Sequence, residues 1–214
     1  MARQQRLDLA REGAPSFDTF VVGGSNSLAA QAVAGWRGGT LAIIGPAGSG
    51  KSHLAQAWAG RNGAVAFAPD QAAITGQPVL LEDADRAVAD EALFHLINVA
   101  AREGGGLLLT ARSLPATWHT ALPDLRSRLN ALPVVEIGPP DDAVLEGVLR
   151  QFFQRRNIRP PEEVYGYLLA RMGRSIPDAA EIVRRLDEAG DAGFKPVTRV
   201  LARQILEQNQ ELDL

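Results

Sequence analysis

Residues Gly45-Pro46-Ala47-Gly48-Ser49-Gly50-Lys51-Ser52 fit the spacing G-x-x-x-x-G-K-[ST], and the chemistry of that spacing is the capture of a phosphate chain. Main-chain N–H groups hold the anion. Gly48 and Gly50 let the backbone wrap so that those groups point inward, and a helix beginning at the loop adds the positive end of its dipole. Lys51 reaches toward the terminal phosphates, and the Ser52 hydroxyl is a ligand for Mg²⁺. Lysine is otherwise scarce: of 22 Lys and Arg residues only Lys51 and Lys195 are lysines. A compact ammonium on a flexible stem fits a cradle that a planar guanidinium would not. The loop therefore predicts a nucleoside phosphate as ligand.

Such a loop needs a buried strand before it and a helix after it. Leu41-Ala42-Ile43-Ile44 supplies the strand, and His53 to Gly60 can open the helix. Further strands are expected at Val65-Ala66-Phe67, Val79-Leu80-Leu81, Leu107 to Thr110 and Val134 to Ile137. Ser25 or Asn26 can cap a helix reaching Gly35, and Asp90 one reaching about Glu103. Strands alternating with helices give an α/β domain with a five-stranded, mainly parallel sheet covered on both faces. One connection is awkward, because Ala68 to Pro78 is short for a parallel crossover.

Pro139-Pro140 ends the alternation. Helices are expected over Asp141 to Arg156, Pro161 to Met172, Pro177 to Ala189 and Pro196 to Glu211, with Pro161 and Pro196 in first turns, where proline is tolerated. The organisation predicted is a flexible tail at 1–14, a P-loop nucleotide-binding domain at 15–139 and a small all-α lid domain at 140–214.

The chain has 214 residues and a formal charge of −3. Its sequence pI of about 5.7 argues against a broad nucleic-acid-binding face. Without cysteine there is no disulfide framework and no thiolate zinc site. No apolar run approaches the ~20 residues that span a bilayer, and no signal-peptide core precedes the domain, so a cytoplasmic location is expected. His53, His95 and His119 show no metal-ligand spacing.

A second acidic element should lie beside the loop. Val79-Leu80-Leu81-Glu82-Asp83 is an apolar strand ending in acids, as Walker-type NTPases require. Glu82 would hold Mg²⁺ through its water shell and Asp83 would orient the attacking water. The order is the reverse of the usual Asp-Glu, and the shorter carboxylate at the second place sits farther from that water. Two solvated acids finishing a strand are the plainer alternative.

These residues resemble the DnaA/Hda family of AAA+ proteins, and its Hda-type members most. Ser16-Phe17-Asp18-Thr19-Phe20-Val21-Val22-Gly23-Gly24-Ser25-Asn26-Ser27-Leu28-Ala29 is similar to the family's F-D-x-F-V-x-G-x-S-N-x-x-A segment. Phe94-His95-Leu96-Ile97-Asn98 is similar to its F-H-x-x-N helix, Ser127-Arg128-Leu129 to its S-R-F arginine-finger box, and Ile137-Gly138-Pro139-Pro140 to its I-x-P-P junction. The likeness runs from about 15 to 190. It implies that Val22 packs against the base and that the loop from Gly45 through Lys51, Ser52 and His53 holds the phosphates. It also implies that Thr110 senses the γ-phosphate or merely finishes a strand. Arg128 is then a finger that enters a neighbour's nucleotide site, or a solvated surface arginine.

Departures from the family pattern narrow the reading. The interval after the P-loop is too short for DnaA's single-strand-binding insertion, and no duplex-binding domain follows the lid helices, so little direct DNA binding is expected. In Arg174-Ser175-Ile176-Pro177-Asp178, Asp178 falls where the family's sensor 2 motif has its second arginine. An aspartate there would repel a γ-phosphate and tolerate ADP better than ATP. Gln4-Gln5-Arg6-Leu7-Asp8-Leu9 fits the Q-x-x-L-x-L pattern of sliding-clamp-binding peptides, with Gln4 at a pocket rim and Leu7 and Leu9 in an apolar groove.

The expected function is negative regulation of replication initiation. A protein held on the DNA-loaded sliding clamp (the DNA polymerase III β subunit), with ADP and Mg²⁺ bound, would stimulate ATP hydrolysis by DnaA through Arg128. Self-association is open to it. A freestanding AAA+ ATPase such as a helicase loader would instead require efficient turnover of its own, against which Asp178 and the Glu82-Asp83 order weigh. A P-loop small-molecule kinase would leave the Gln4 tail and the segment at 16–29 unexplained.

Overall fold

Six residues that begin at the second glycine of a pair form the strand on which the molecule is built. The structure, a computed structural model, describes residues 13–68, 76–86, 88–102, 105–193 and 196–212. Strand β1 (Gly39–Ile44) runs parallel to β4 (Gly106–Ala111) from Gly39↔Gly106 to Ile44↔Ala111, and to β5 (Val134–Glu136) on its other side. β3 (Val79–Leu81) pairs with β4, and β2 (Val65–Ala66) closes the order β2-β3-β4-β1-β5. The expected mainly parallel sheet is parallel throughout. β2 is parallel to β3 despite the short connection, of which residues 69–75 lie outside those described.

Period-2 alternation sorts the strand residues to two cores. Leu41, Ile43, Leu80 and Leu108 face α1 (Ser27–Gly35) and α2 (Lys51–Asn62), where Val33, Leu54 and Trp58 are buried. Ala42, Ile44, Val79, Leu81, Leu107 and Leu109 face α3 (Asp90–Arg102) and α4 (Pro123–Asn130). β4 is buried at all six positions, as a central parallel strand with two covered faces must be.

α5 (Asp142–Arg155), α6 (Glu162–Leu169), α7 (Ile176–Gly193) and α8 (Arg199–Leu212) follow. The chain divides into two units. One holds Pro15–Val144 with Arg174–Ile176, and the other holds Leu145–Gly173 and the residues from Pro177 on. In the second unit, α7 buries Ala179, Ile182, Val183 and Leu186, the stripe of a helix with one covered face. Phe153 meets Tyr165 edge-on at 5.7 Å.

Local expectations shift in four places. Pro161 is the N-cap of α6 rather than a first-turn residue, and Pro196 lies before α8, which Thr198 caps by accepting from the Leu201 N–H. α4 opens on Pro123, and the sequence reading did not place it as a helix of its own. Asn26 sits at the N-cap of α1, but its side chain turns backward and makes no capping bond. Among the described residues no helix is long and apolar enough to cross a membrane.

Candidate functional site

The turn after β1 is built from conformations that side chains rarely adopt. Gly45 has φ 153° and Gly50, the N-cap of α2, has φ 99°. A Cβ on Gly45 would stand 2.2 Å from the Ile137 carbonyl oxygen. One on Gly50 would approach Ile176 Cδ1 to 3.2 Å, tighter than most real contacts. Gly50 in the left-handed region lets the chain swing from the loop into α2, so Lys51 and Ser52 open a helix whose first N–H groups face the loop. The Ile176 N–H donates to the Gly48 carbonyl (3.0 Å), which fixes the outer side of the turn.

Lys51 is 7% exposed, and its Nζ donates to the Gly45 and Pro46 carbonyls (2.8 and 2.7 Å). Burial pushes its ammonium below the ordinary lysine range and the nearby Arg112 charge adds to this, while Asp83 and Asp85 oppose both. The buried Ser49 hydroxyl has no hydrogen-bond partner.

β3 delivers the acids. Glu82 accepts from Gln56 Nε2 through Oε2 (3.1 Å), and its Oε1 is buried without a partner. Asp83 has φ 48°, and Thr110 holds that strained turn. The Asp83 N–H donates to Thr110 Oγ1 (3.0 Å) and the Ala84 N–H to the Thr110 carbonyl (2.8 Å). Thr110 is 1% exposed and keeps its own hydroxyl proton for a further acceptor. Among the described residues no group of three or more acids and histidines is placed to hold a metal alone. The donors that suit a hard cation such as Mg²⁺ are the exposed Ser52 hydroxyl and the orphaned Glu82 Oε1.

The segment before α1 is pinned at both ends. Asn26, 2% exposed, accepts from the Gly23 N–H and donates to the Val21 carbonyl, both at 2.9 Å. Val22 between them is 56% exposed, an apolar side chain held out from the domain. His53 Nε2 lies 3.1 Å from Thr19 Oγ1 and 3.2 Å from the Ser16 carbonyl, so its ring ties this segment to α2. Asp141 clamps the other side, accepting from the N–H groups of Ser25 and Val144, each at 2.8 Å. Arg174 pairs with Asp142 (2.7 Å) and donates to the Pro140 carbonyl (3.1 Å). Asp178 lies in the first turn of α7, in the other unit.

The Asp141 clamp carries a pH signature. The N–H of Val144 and then that of Ser25 hold its carboxyl below the ordinary range. A depressed carboxyl contributes stability that is complete above about pH 4 and lost as acid titrates the folded form. Asp141→Ala is therefore expected to cost about 1 kcal/mol near pH 7, the usual size of a lost N-cap. Denaturant melts of both proteins should converge as the pH falls below about 4.

Arg128 is at the other end of the sheet. It is exposed near the end of α4, its guanidinium 5.4 Å from the Phe94 ring centre. It borders a hollow of about 410 Å³ shared with Gly39, Thr40 and Leu41, where β1 begins. The P-loop follows the far end of β1, and six residues of strand span roughly 17 Å. Gln4, Leu7 and Leu9 lie outside the described residues.

No family model matches the chain. A chromosomal replication initiator DnaA of Flavobacterium psychrophilum is 25% identical over 235 residues, covering 90% of this chain and 48% of that protein. Domain III of Thermotoga maritima DnaA superimposes with a TM-score of 0.74 at 20% identity, over 90% of this chain and 95% of that one. The chain thus shares the fold of DnaA domain III. DnaA of Aquifex aeolicus with AMPPCP bound has the same fold, with a TM-score of 0.65 and 18% identity over 84% of this chain and 67% of that one. The chain spans about half the length of the DnaA relatives it matches.

Three residues of this site escaped the sequence reading. Asp85 accepts from the Arg112 N–H (3.0 Å), and Arg112 acts on Lys51. Neither belongs to a motif. Asp141 had a legible signal, an acid after two prolines and three places before the first buried residue of a helix.

Proposed function

We propose that this chain binds ADP with Mg²⁺ and acts on a partner's nucleotide, presenting Arg128 in trans to ATP-bound DnaA and so restraining replication initiation. The supporting observation is the position of Arg128 at the edge where β1 begins, a strand's length from its own P-loop. A guanidinium cannot serve phosphates it does not reach, and a planar fork suits the phosphate of a neighbour. The tail residues Gln4, Leu7 and Leu9 would hold the protein to the DNA-loaded clamp. ATP hydrolysis by DnaA, measured with this chain and clamp-loaded DNA, should rise above DnaA alone and fall back when residues 1–10 are deleted. No stimulation in the complete mixture would defeat the reading.

A freestanding ATPase is the second reading, favoured by Asp83 and Asp85, whose charges act on Lys51 of the same chain. Calorimetry separates the two. Binding of ADP is expected to be tighter than that of ATP, because Asp178 replaces a sensor arginine, and Lys51→Ala should weaken both. Tighter ATP binding with turnover by the chain alone would favour the freestanding enzyme.

A further inference from the structure

The arginines of the helical unit differ in what they face. Arg150 is held by Glu146 and Glu162, Arg184 by Glu181 and Glu188, and Arg156 by Asp187. Arg171 and Arg199 instead face one aromatic ring: their guanidinium carbons lie 4.2 and 5.2 Å from the ring centre of the half-buried Tyr167. Both side chains are exposed, and among the described residues neither has a carboxylate partner. Tyr167 lies on α6, and Arg199 opens α8, which packs against it. Arg171 follows the end of α6, where its N–H donates to the Leu168 carbonyl (3.0 Å). Arg203, one turn on from Arg199 along the same face of α8, adds a third cation, paired with Glu207 (2.7 Å). Arg199 is badly placed for stability, since the positive end of the helix dipole opposes a cation in a first turn and α8 has no acid there.

We propose that this face of the helical unit binds the phosphate backbone of DNA through Arg171 and Arg199, whatever the base sequence. A guanidinium laid on a ring keeps its edge N–H donors free, and the fork they form spans two oxygens of one phosphate. The ring orients both forks before any ligand arrives, so little side-chain freedom is lost on binding. A phosphodiester chain suits two neighbouring cations that lack carboxylates better than an acidic peptide does, because it carries a charge at every nucleotide and needs no matching sequence. The chain's formal charge of −3 disfavours DNA over the remaining surface, which keeps the contact confined and weak. This contact goes beyond the trans role of Arg128 and needs neither bound nucleotide nor DnaA.

Fluorescence anisotropy of a labelled, mixed-sequence DNA duplex with this chain alone, without clamp or DnaA, tests this. Wild type is expected to bind with a Kd on the order of 10 μM at about 50 mM salt. Arg171→Ala and Arg199→Ala should each weaken binding about tenfold, the size of one hydrogen bond to a charged group, and lower the slope of log affinity against log salt by about one. Arg184→Ala removes an arginine already occupied by two glutamates, and should change affinity less than about twofold. The melting temperatures of the two patch variants should shift by no more than about 3 °C, because an exposed arginine on a ring adds little stability. A loss as large for Arg184→Ala, or a salt slope that Arg171→Ala leaves unchanged, would overturn the assignment. So would a wild-type chain that leaves the duplex unbound at low salt. If polyglutamate then bound through the same two arginines, the face would belong to an acidic protein partner. Each of these outcomes leaves the reading of Arg128 standing.

Discussion

Arg128→Ala is expected to abolish stimulation of DnaA's ATP hydrolysis while leaving folding and ADP binding as in wild type. An arginine supplied in trans to a phosphoryl-transfer site contributes roughly 10³–10⁵ in rate, so the loss should take DnaA back to its unstimulated level. The side chain is exposed, and its described contact is a ring face 5.4 Å away, so the fold gains little from it. Arg128→Lys should restore little, because one ammonium cannot span two phosphate oxygens. The measurement is a single-turnover hydrolysis assay with ATP-loaded DnaA and clamp-loaded DNA. A mutant that stimulates at the wild-type rate would mean that Arg128 is only a solvated surface arginine.

Gly45→Ala is expected to be the most damaging single methyl in the domain. The new carbon would lie 2.2 Å from the Ile137 carbonyl oxygen, and it would do so at φ 153°. No rotamer relieves a clash between two backbones. Ile137 cannot retreat, since its N–H donates to the Ile44 carbonyl (2.8 Å) and it is fully buried. Either the loop or the end of β5 must move, at a cost of about 3 kcal/mol or more, which few single substitutions reach. For a chain of this size that corresponds to a fall of roughly 10 °C in melting temperature. Nucleotide binding should be lost with it. Gly166→Ala in α6 is the control, because nothing lies within 4 Å of its added carbon. There the melting temperature should hold or rise, by up to about 1 kcal/mol of added stability. A Gly45→Ala protein that melts like wild type would show that the loop is looser than its geometry implies.

Strong local chemistry was legible in the sequence. The P-loop, the acidic strand end and the alternation of strands and helices each follow from residue type and spacing, and each recurs in the structure within a residue or two. What escaped depends on contacts between distant parts of the chain. Asn26 has the composition of a helix cap, but burial directs both ends of its amide to the Val21–Gly23 turn. Asp85 and Arg112 come together because β3 and β4 are neighbours, an adjacency that no periodicity announces. α4 is short and largely polar, so its stripe, Leu125 and Leu129, is too thin to read as a helix by pattern alone.

Among the described residues the sheet ends in β2, two residues long, and β5, three residues long. A strand that short offers hardly any unpaired backbone for a second chain to copy. Copies of this protein that crowd together thus have little main-chain template for zipping edge to edge into a growing sheet. Association has to be read out by side chains and shape, which can be specific for one partner in a way that backbone pairing cannot. For a molecule whose proposed task is to touch one neighbour at the right moment, blunt sheet edges guard against lasting attachment to the wrong one.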